Sequence, residues 1–154
     1  MKRLDINAII ADTIEVIGTD AIVRNSIIKT EFEPNLPFVT GDRIQLQQVL
    51  LNLISNSFDA MENSKGAHKI LIHTARKDAG TIKVSIKDSG CGIPLKNIPK
   101  LFTRFFTSKP DGLGMGLSIS RSIIESHGGR LDVENNSDRG AAFYFTLPAL
   151  KKDN

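Results

Sequence analysis

Five polar residues at helical spacing are the first candidates for chemistry. Gln45, Gln48, Asn52, Asn56 and Asp59 fall in one narrow sector of a predicted helix at about 100° per residue. Beside them Leu46, Val49, Leu50, Leu53, Ile54, Ala60 and Met61 cover a broad apolar face. A polar stripe on an amphipathic helix is ordinarily its solvated face. Solvated faces carry Lys and Glu, however, whereas this stripe is mainly neutral amides, and Asn is only a middling helix former. Asn52 and Asn56 stand four residues apart, which sets two carboxamides side by side, and a carboxamide oxygen is a hard, neutral ligand suited to Mg²⁺. Neutrality matters next to a triphosphate, where an extra carboxylate would add repulsion.

Two glycine-containing segments extend the constellation. Asp88-Ser-Gly-Cys-Gly92 follows an alternating strand; an aspartate there can accept a hydrogen bond from an exocyclic amino group such as that of adenine. Gly90 and Gly92 let backbone and ligand approach where a Cβ would obstruct. Asp-x-Gly-x-Gly alone is weak, because a strand followed by a tight turn has the same pattern. Gly112-Leu-Gly-Met-Gly116 directly precedes an apolar helix, whose unpaired first-turn N–H groups can meet phosphate oxygens. The same glycines also suit a hinge. No Gly-Lys-Ser or Gly-Lys-Thr follows them, and no parallel strand-turn-helix unit leads in, which excludes the phosphate loop and the dinucleotide fingerprint. Together, Asn56, Asp88 and the glycine segment read as a site for Mg-ATP.

The elements that must position these residues are legible from periodicity. Asp5 is a plausible N-cap for a helix carrying Ile6, Ile9, Ile10, Ile14 and Ile17, with Gly18 as a stop. A strand is expected at 28–32, an extended connection through Pro34 and Pro37, then the long helix from Asp42 to about Met61. Residues 69–76 and 81–87 flank Asp78-Ala-Gly80 as a hairpin. From Pro94 to Gly116, prolines and glycines surround Leu101-Phe-Thr-Arg-Phe-Phe106, which reads as a loop with an apolar anchor. A helix from about Met115 to His127 stops at Gly128-Gly129, and strands follow at 130–134 and 141–147. This order suits helices on one face of a mostly antiparallel sheet.

Composition narrows the function classes. At 154 residues the chain can close one core without disulfides or structural metal. A net charge of +3 with Lys and Arg scattered among Asp and Glu gives no nucleic-acid footprint. One cysteine, Cys91, excludes an internal disulfide framework and suits a reducing compartment. The apolar runs fall well short of the roughly 20 residues that span a bilayer, and no secretory signal opens the chain. A cytoplasmic location is expected, within a full-length protein that can itself be membrane-bound, and with no membrane contact by this part.

With the amide helix, Asp88-x-Gly90-x-Gly92, the Phe-rich stretch and Gly112-x-Gly-x-Gly116 in this order, the sequence resembles the catalytic ATP-binding domain of sensor histidine kinases. That superfamily is shared with gyrase, heat-shock protein 90 and mismatch-repair ATPases. Asn52-Leu-Ile-Ser-Asn56 looks like the family's N box, Asp88 to Gly92 its first glycine box, Phe102 to Phe106 its F box and Gly112 to Gly116 its second glycine box. The resemblance implies an α+β two-layer sandwich of the Bergerat type, with a mixed, mostly antiparallel sheet, helices on one face and an ATP lid from about Pro94 to Gly114. It implies that residues 1–150 form the catalytic ATP-binding domain and that 151–154 are a polar tail. In that reading Asn56 ligates Mg²⁺, Asp88 with Gly90 and Gly92 takes the adenine, and Asn52 sits near the phosphates. Phe105 and Phe106 anchor the lid, Lys109 reaches the phosphates as a point charge, and Gly112, Leu113, Gly114, Met115, Gly116 and Leu117 complete the ATP contacts.

Asn52 bears on the reaction. In the ATPases of the superfamily a glutamate four residues before the magnesium asparagine activates water, and an amide cannot act as that base. The expected activity is therefore phosphoryl transfer to a protein acceptor, with Asn52 and Lys109 as catalytic residues. One departure is Asp59, where many histidine kinases carry a basic residue; phosphate neutralisation then falls on Lys109, with Arg104 as a second candidate. The acceptor histidine, which the family carries before an acidic residue on a separate dimerisation hairpin, has no match: His68, His73 and His127 precede Lys, Thr and Gly. His127 reads as a helix-end residue. The chain is thus expected to be the catalytic part of a longer kinase whose partners are ATP, its own phosphoacceptor hairpin and a response regulator. The competing readings are a nucleotide-gated interaction module without phosphotransfer, and a serine kinase of the same superfamily.

Overall fold

The computed structural model describes residues 1–103 and 116–151. Its elements are β1 (Lys2–Leu4), α1 (Ile6–Val23), β2 (Ser26–Glu31), β3 (Val39–Gly41), α2 (Arg43–Met61), β4 (His68–Asp78), β5 (Thr81–Asp88), a 3₁₀ helix (Leu95–Lys100), α3 (Gly116–Ser126), β6 (Arg130–Asn135) and β7 (Ala141–Pro148). Strands order as β2-β4-β5-β7-β6, with β2 parallel to β4 and every other pair antiparallel. The parallel pair requires a crossover, which α2 supplies. Helices α1, α2 and α3 pack against one face of this sheet, α2 in the middle. The chain therefore has the α+β fold with a mixed, mostly antiparallel sheet that the sequence implied.

Both long helices start where a side chain satisfies an otherwise unpaired N–H. Asp5 accepts from the Ala8 N–H and Asp42 from the Gln45 N–H. Along α2, Leu46, Val49, Leu50, Leu53 and Ile54 are buried against Ile70 and Ile72 of β4 and Ile82, Val84 and Ile86 of β5. Side chains of this size contribute about 1.5–3 kcal/mol each on burial, so this interface sets where α2 lies. In β5 the residues at 82, 84, 86 and 88 all face the helices, and the strand's period of two therefore delivers the Asp88 carboxyl to the helix side.

The structure corrects two expectations and adds one element. Gly18 does not end α1, which continues to Val23 because Ile17 and Ala21 stay on the buried face; that burial outweighs the cost of one glycine, about 1 kcal/mol. β1 and β3 pair antiparallel as a separate two-stranded sheet that the sequence pattern did not signal. Within the stretch expected to be a loop, Leu95–Lys100 form a 3₁₀ helix, and Ile98, Leu101 and Phe102 pack against the core. No helix among the described residues is long and apolar enough to cross a membrane.

Candidate functional site

Asn52, Asn56 and Ala60 lie at four-residue steps on α2, so they form one line about 12 Å long at 1.5 Å of rise per residue. One end of the line meets α3. Asn52 Nδ2 donates to Ser120 Oγ at 2.9 Å, and a Cβ added at Gly116 would stand 2.6 Å from Asn52 Oδ1. Gly116 thus lets the start of α3 close onto this amide, with Leu117 half-buried beside it. At the other end the Ala60 carbonyl faces Gly90, where a Cβ would stand 2.6 Å away. Asn56 lies between the two contacts and is half-buried. The polar stripe is therefore divided: Gln45 and Gln48 are exposed, whereas Asn52, Asn56 and Asp59 are partly enclosed. The carboxylate of Asp59 takes an ion pair from Arg24 at 3.1 Å.

Asp88 sits next to the far end of this line and is only 4% exposed. Its Oδ1 accepts from the N–H groups of Gly90 (2.9 Å) and Ala141 (3.3 Å). Its Oδ2 is buried with no hydrogen-bond partner among the described residues. Such an atom is uncommon, because burying an acceptor without a donor costs about 1–3 kcal/mol. Burial pushes the carboxyl above the usual 3.8, against the pull of the two backbone N–H groups. An orphaned acceptor at this depth fits a ligand that carries an N–H donor.

Glycine is required behind the carboxylate as well. Gly140 has φ +84°, and a Cβ there would lie 2.0 Å from the Asp88 carbonyl oxygen. Gly92 also has a positive φ, +79°. Just beyond it, the Asn135 amide closes on one peptide unit of the loop: Oδ1 accepts from the Ile93 N–H at 2.8 Å, and Nδ2 donates to the Ile93 carbonyl at 2.9 Å. Cys91 is exposed, with its thiol 3.8 Å from the Ala60 carbonyl oxygen.

Of the residues singled out from the sequence, the structure brings Asn52, Asn56, Asp88, Gly90, Gly92, Gly116 and Leu117 to one edge of the helix layer. Phe105, Phe106, Lys109, Gly112, Leu113, Gly114 and Met115 lie outside the described residues, as does Arg104. Of the Phe-rich stretch, Phe102 is described; it is half-buried, and the Arg121 guanidinium of α3 lies over its ring at 5.3 Å. His127 takes a structural position: the Asp42 N–H donates to Nε2 at 3.0 Å, which leaves Nδ1 to donate to the Ile123 carbonyl at 2.7 Å. Ser120, Asn135, Gly140 and Ala141 escaped the sequence reading. Of these only Gly140, in the Ser-Asp-Arg-Gly turn, carried a signal, and that signal was of a turn alone.

Among the described residues no three of His, Cys, Asp or Glu gather as a metal cage. Mg²⁺ is commonly held by one or two side chains together with substrate phosphates, and the Asn56 carboxamide oxygen is a neutral donor of the kind that would fit it.

Comparison with known proteins places this geometry in context. Residues 41–151 match the family described as histidine kinase-, DNA gyrase B-, and HSP90-like ATPase. Sensor protein FixL of Bradyrhizobium diazoefficiens is 45% identical over 130 residues, covering 84% of this chain and 26% of FixL. Sensor protein TdiS of Thauera aromatica is 38% identical over 146 residues, covering 94% of this chain and 27% of TdiS. The chain thus spans about a quarter of the length of these relatives. Among solved structures, the nucleotide-free catalytic domain of histidine kinase ThkA superposes with a TM-score of 0.85 at 33% identity, covering 96% of this chain and 95% of that one. Full-length ShkA in complex with AMPPNP gives 0.85 at 25% identity, covering 99% of this chain and 32% of that one. ThkA in complex with the response regulator protein TrrA gives 0.82 at 30% identity, covering 97% and 42%.

Proposed function

Because this chain belongs to the histidine kinase-, DNA gyrase B-, and HSP90-like ATPase family and has the fold of histidine kinase catalytic domains, we propose that it binds Mg-ATP and donates the γ-phosphoryl group to a histidine on a separate dimerisation hairpin. In the transfer, the bond from the β–γ bridging oxygen to Pγ breaks, a bond from Pγ to an imidazole nitrogen forms, and ADP leaves. The observation that carries the reading is the buried, unpartnered Oδ2 of Asp88 at one end of a line of neutral amides on α2.

In this reading Asp88 Oδ2 accepts from the adenine amino group, and Gly90 and Gly92 admit the ring edge. Asn56 holds the Mg²⁺ that neutralises charge on the phosphates, and Asn52, fixed by Ser120, faces the phosphate end. The resemblance assigns Lys109, Phe105, Phe106 and the segment from Gly112 to Leu117 to the phosphate side. The residues at work are 1–150, with 151–154 as a tail. Catalysis by such a site is mostly positioning and charge stabilisation, and an amide at 52 gives water no general base. The relatives named as sensor proteins, and the neighbour solved with a response regulator, support a role in two-component signalling whose acceptor and regulator are other partners.

The test is γ-labelled ATP with and without the cognate hairpin added in trans. Label is expected on the hairpin as phosphohistidine, acid-labile and base-stable, and on neither component alone. ATP-dependent binding of the hairpin without label would favour a nucleotide-gated module. Vigorous ATP hydrolysis by the chain without any acceptor would overturn the transfer reading.

A further inference from the structure

The β6–β7 turn supplies no atom to the nucleotide in the reading above, yet its side chains converge on the backbone of the Asp88 loop. Asn136 Nδ2 donates to the Asp88 carbonyl at 3.1 Å, and Arg139 Nε donates to the Gly90 carbonyl at 3.1 Å. The same guanidinium reaches Ser64 Oγ at 2.5 Å and the Lys65 carbonyl at 3.4 Å in the connection between α2 and β4. Arg139 therefore ties three separated segments together at the place where Asp88 emerges from β5.

The chemistry of these contacts says what the arginine does. Among the described residues Arg139 makes no ion pair, and all three of its acceptors are neutral oxygens. A guanidinium is a rigid plane of five N–H donors, so one that meets neutral acceptors on different segments supplies geometry more than charge. Gly90 is the link to the carboxylate, because its N–H holds Asp88 Oδ1 while its carbonyl is held by Arg139. Fixing Gly90 at both peptide groups fixes the rotation of the Asp88 carboxyl, and with it the direction of the unpartnered Oδ2.

We infer that Arg139 is a positioning residue for base recognition: it holds the Asp88 carboxylate in the orientation that meets a 6-amino group, and so sets the preference for 6-aminopurine nucleotides rather than the hold on the phosphates. The inference rests on the ATP reading proposed above. Arg139→Ala removes the clamp, and the milder Arg139→Lys keeps the charge but cannot span the three acceptors. The readout is equilibrium binding of ATP and of purine riboside triphosphate, which lacks the 6-amino group, with thermal melting to establish that each variant is folded.

A hydrogen bond to a charged acceptor gives the wild type an expected preference for ATP of roughly 10- to 150-fold. Both variants are expected to cut that ratio to about threefold or less while binding the analogue about as well as the wild type. A merely structural arginine would weaken both nucleotides alike and leave the ratio standing, and that result overturns the inference alone. A wild type that binds both nucleotides equally, or neither, would overturn the assignment of Asp88 to adenine and this inference with it.

Discussion

Replacing Asp88 by Asn separates recognition from folding, because the structure assigns the two opposite signs. In the wild type, Oδ1 is satisfied by Gly90 and Ala141 and Oδ2 by no group among the described residues. Asn can keep the Oδ1 contacts, but it then presents an N–H₂ group where, in the proposed reading, the adenine amino group donates. The lost charge-assisted bond amounts to about 1.5–3 kcal/mol, which is roughly a 10- to 150-fold rise in the Kd for ATP by calorimetric titration.

The nucleotide-free fold should respond the other way. Burial raises the Asp88 carboxyl above 3.8 in the folded chain, so the folded state holds its proton in a pH window opening upward from 3.8 where the unfolded chain has released it. Stability therefore falls as pH rises through that window, and the charged carboxylate costs stability above it. Asp88→Asn removes that pH dependence, and its Tm without nucleotide at neutral pH is expected to be no lower than that of the wild type. Unchanged ATP affinity would refute the role of Asp88 in binding the base. A nucleotide-free Tm lower by several degrees would refute the cost of burying the carboxylate, since Asp88 would then be serving the fold rather than a ligand.

Asn56→Ala is expected to lower ATP affinity in Mg²⁺ by at least about tenfold and to leave the weaker binding measured in EDTA nearly unchanged, which titrations with and without the metal would compare. Gly140→Ala forces a side chain onto φ +84° and a Cβ to 2.0 Å from the Asp88 carbonyl oxygen. The backbone strain alone costs about 1–3 kcal/mol, so chemical denaturation should show a loss of at least that size, accompanied by weaker ATP binding. His127→Ala unpairs the Asp42 N–H and leaves the Ile123 carbonyl with only the backbone N–H of residue 127. A loss of about 1–3 kcal/mol is expected, roughly 2–12 °C in Tm, with ATP affinity of the folded protein unaltered; a loss of affinity at equal stability would contradict its structural role.

Much of the site was legible because its parts are local. An N-cap lies three residues from the N–H it satisfies, so Asp5 and Asp42 mark their helices unaided. The amide line on α2 follows from a period of 3.6, and the inward face of Asp88 from a period of two in β5. Four motifs in order were enough to name the family. What lies beyond those ranges was decided only by tertiary structure. The β6–β7 turn that seats the Asp88 loop meets it across 53 residues at Ala141, and Asn52 meets Ser120 across 68. No periodicity in the chain encodes either contact. The continuation of α1 through Gly18 and the pairing of β1 with β3 are of the same kind. A local pattern states which face of an element is apolar. Which partner covers that face, and which buried oxygen is left without a donor, emerges only when distant segments pack.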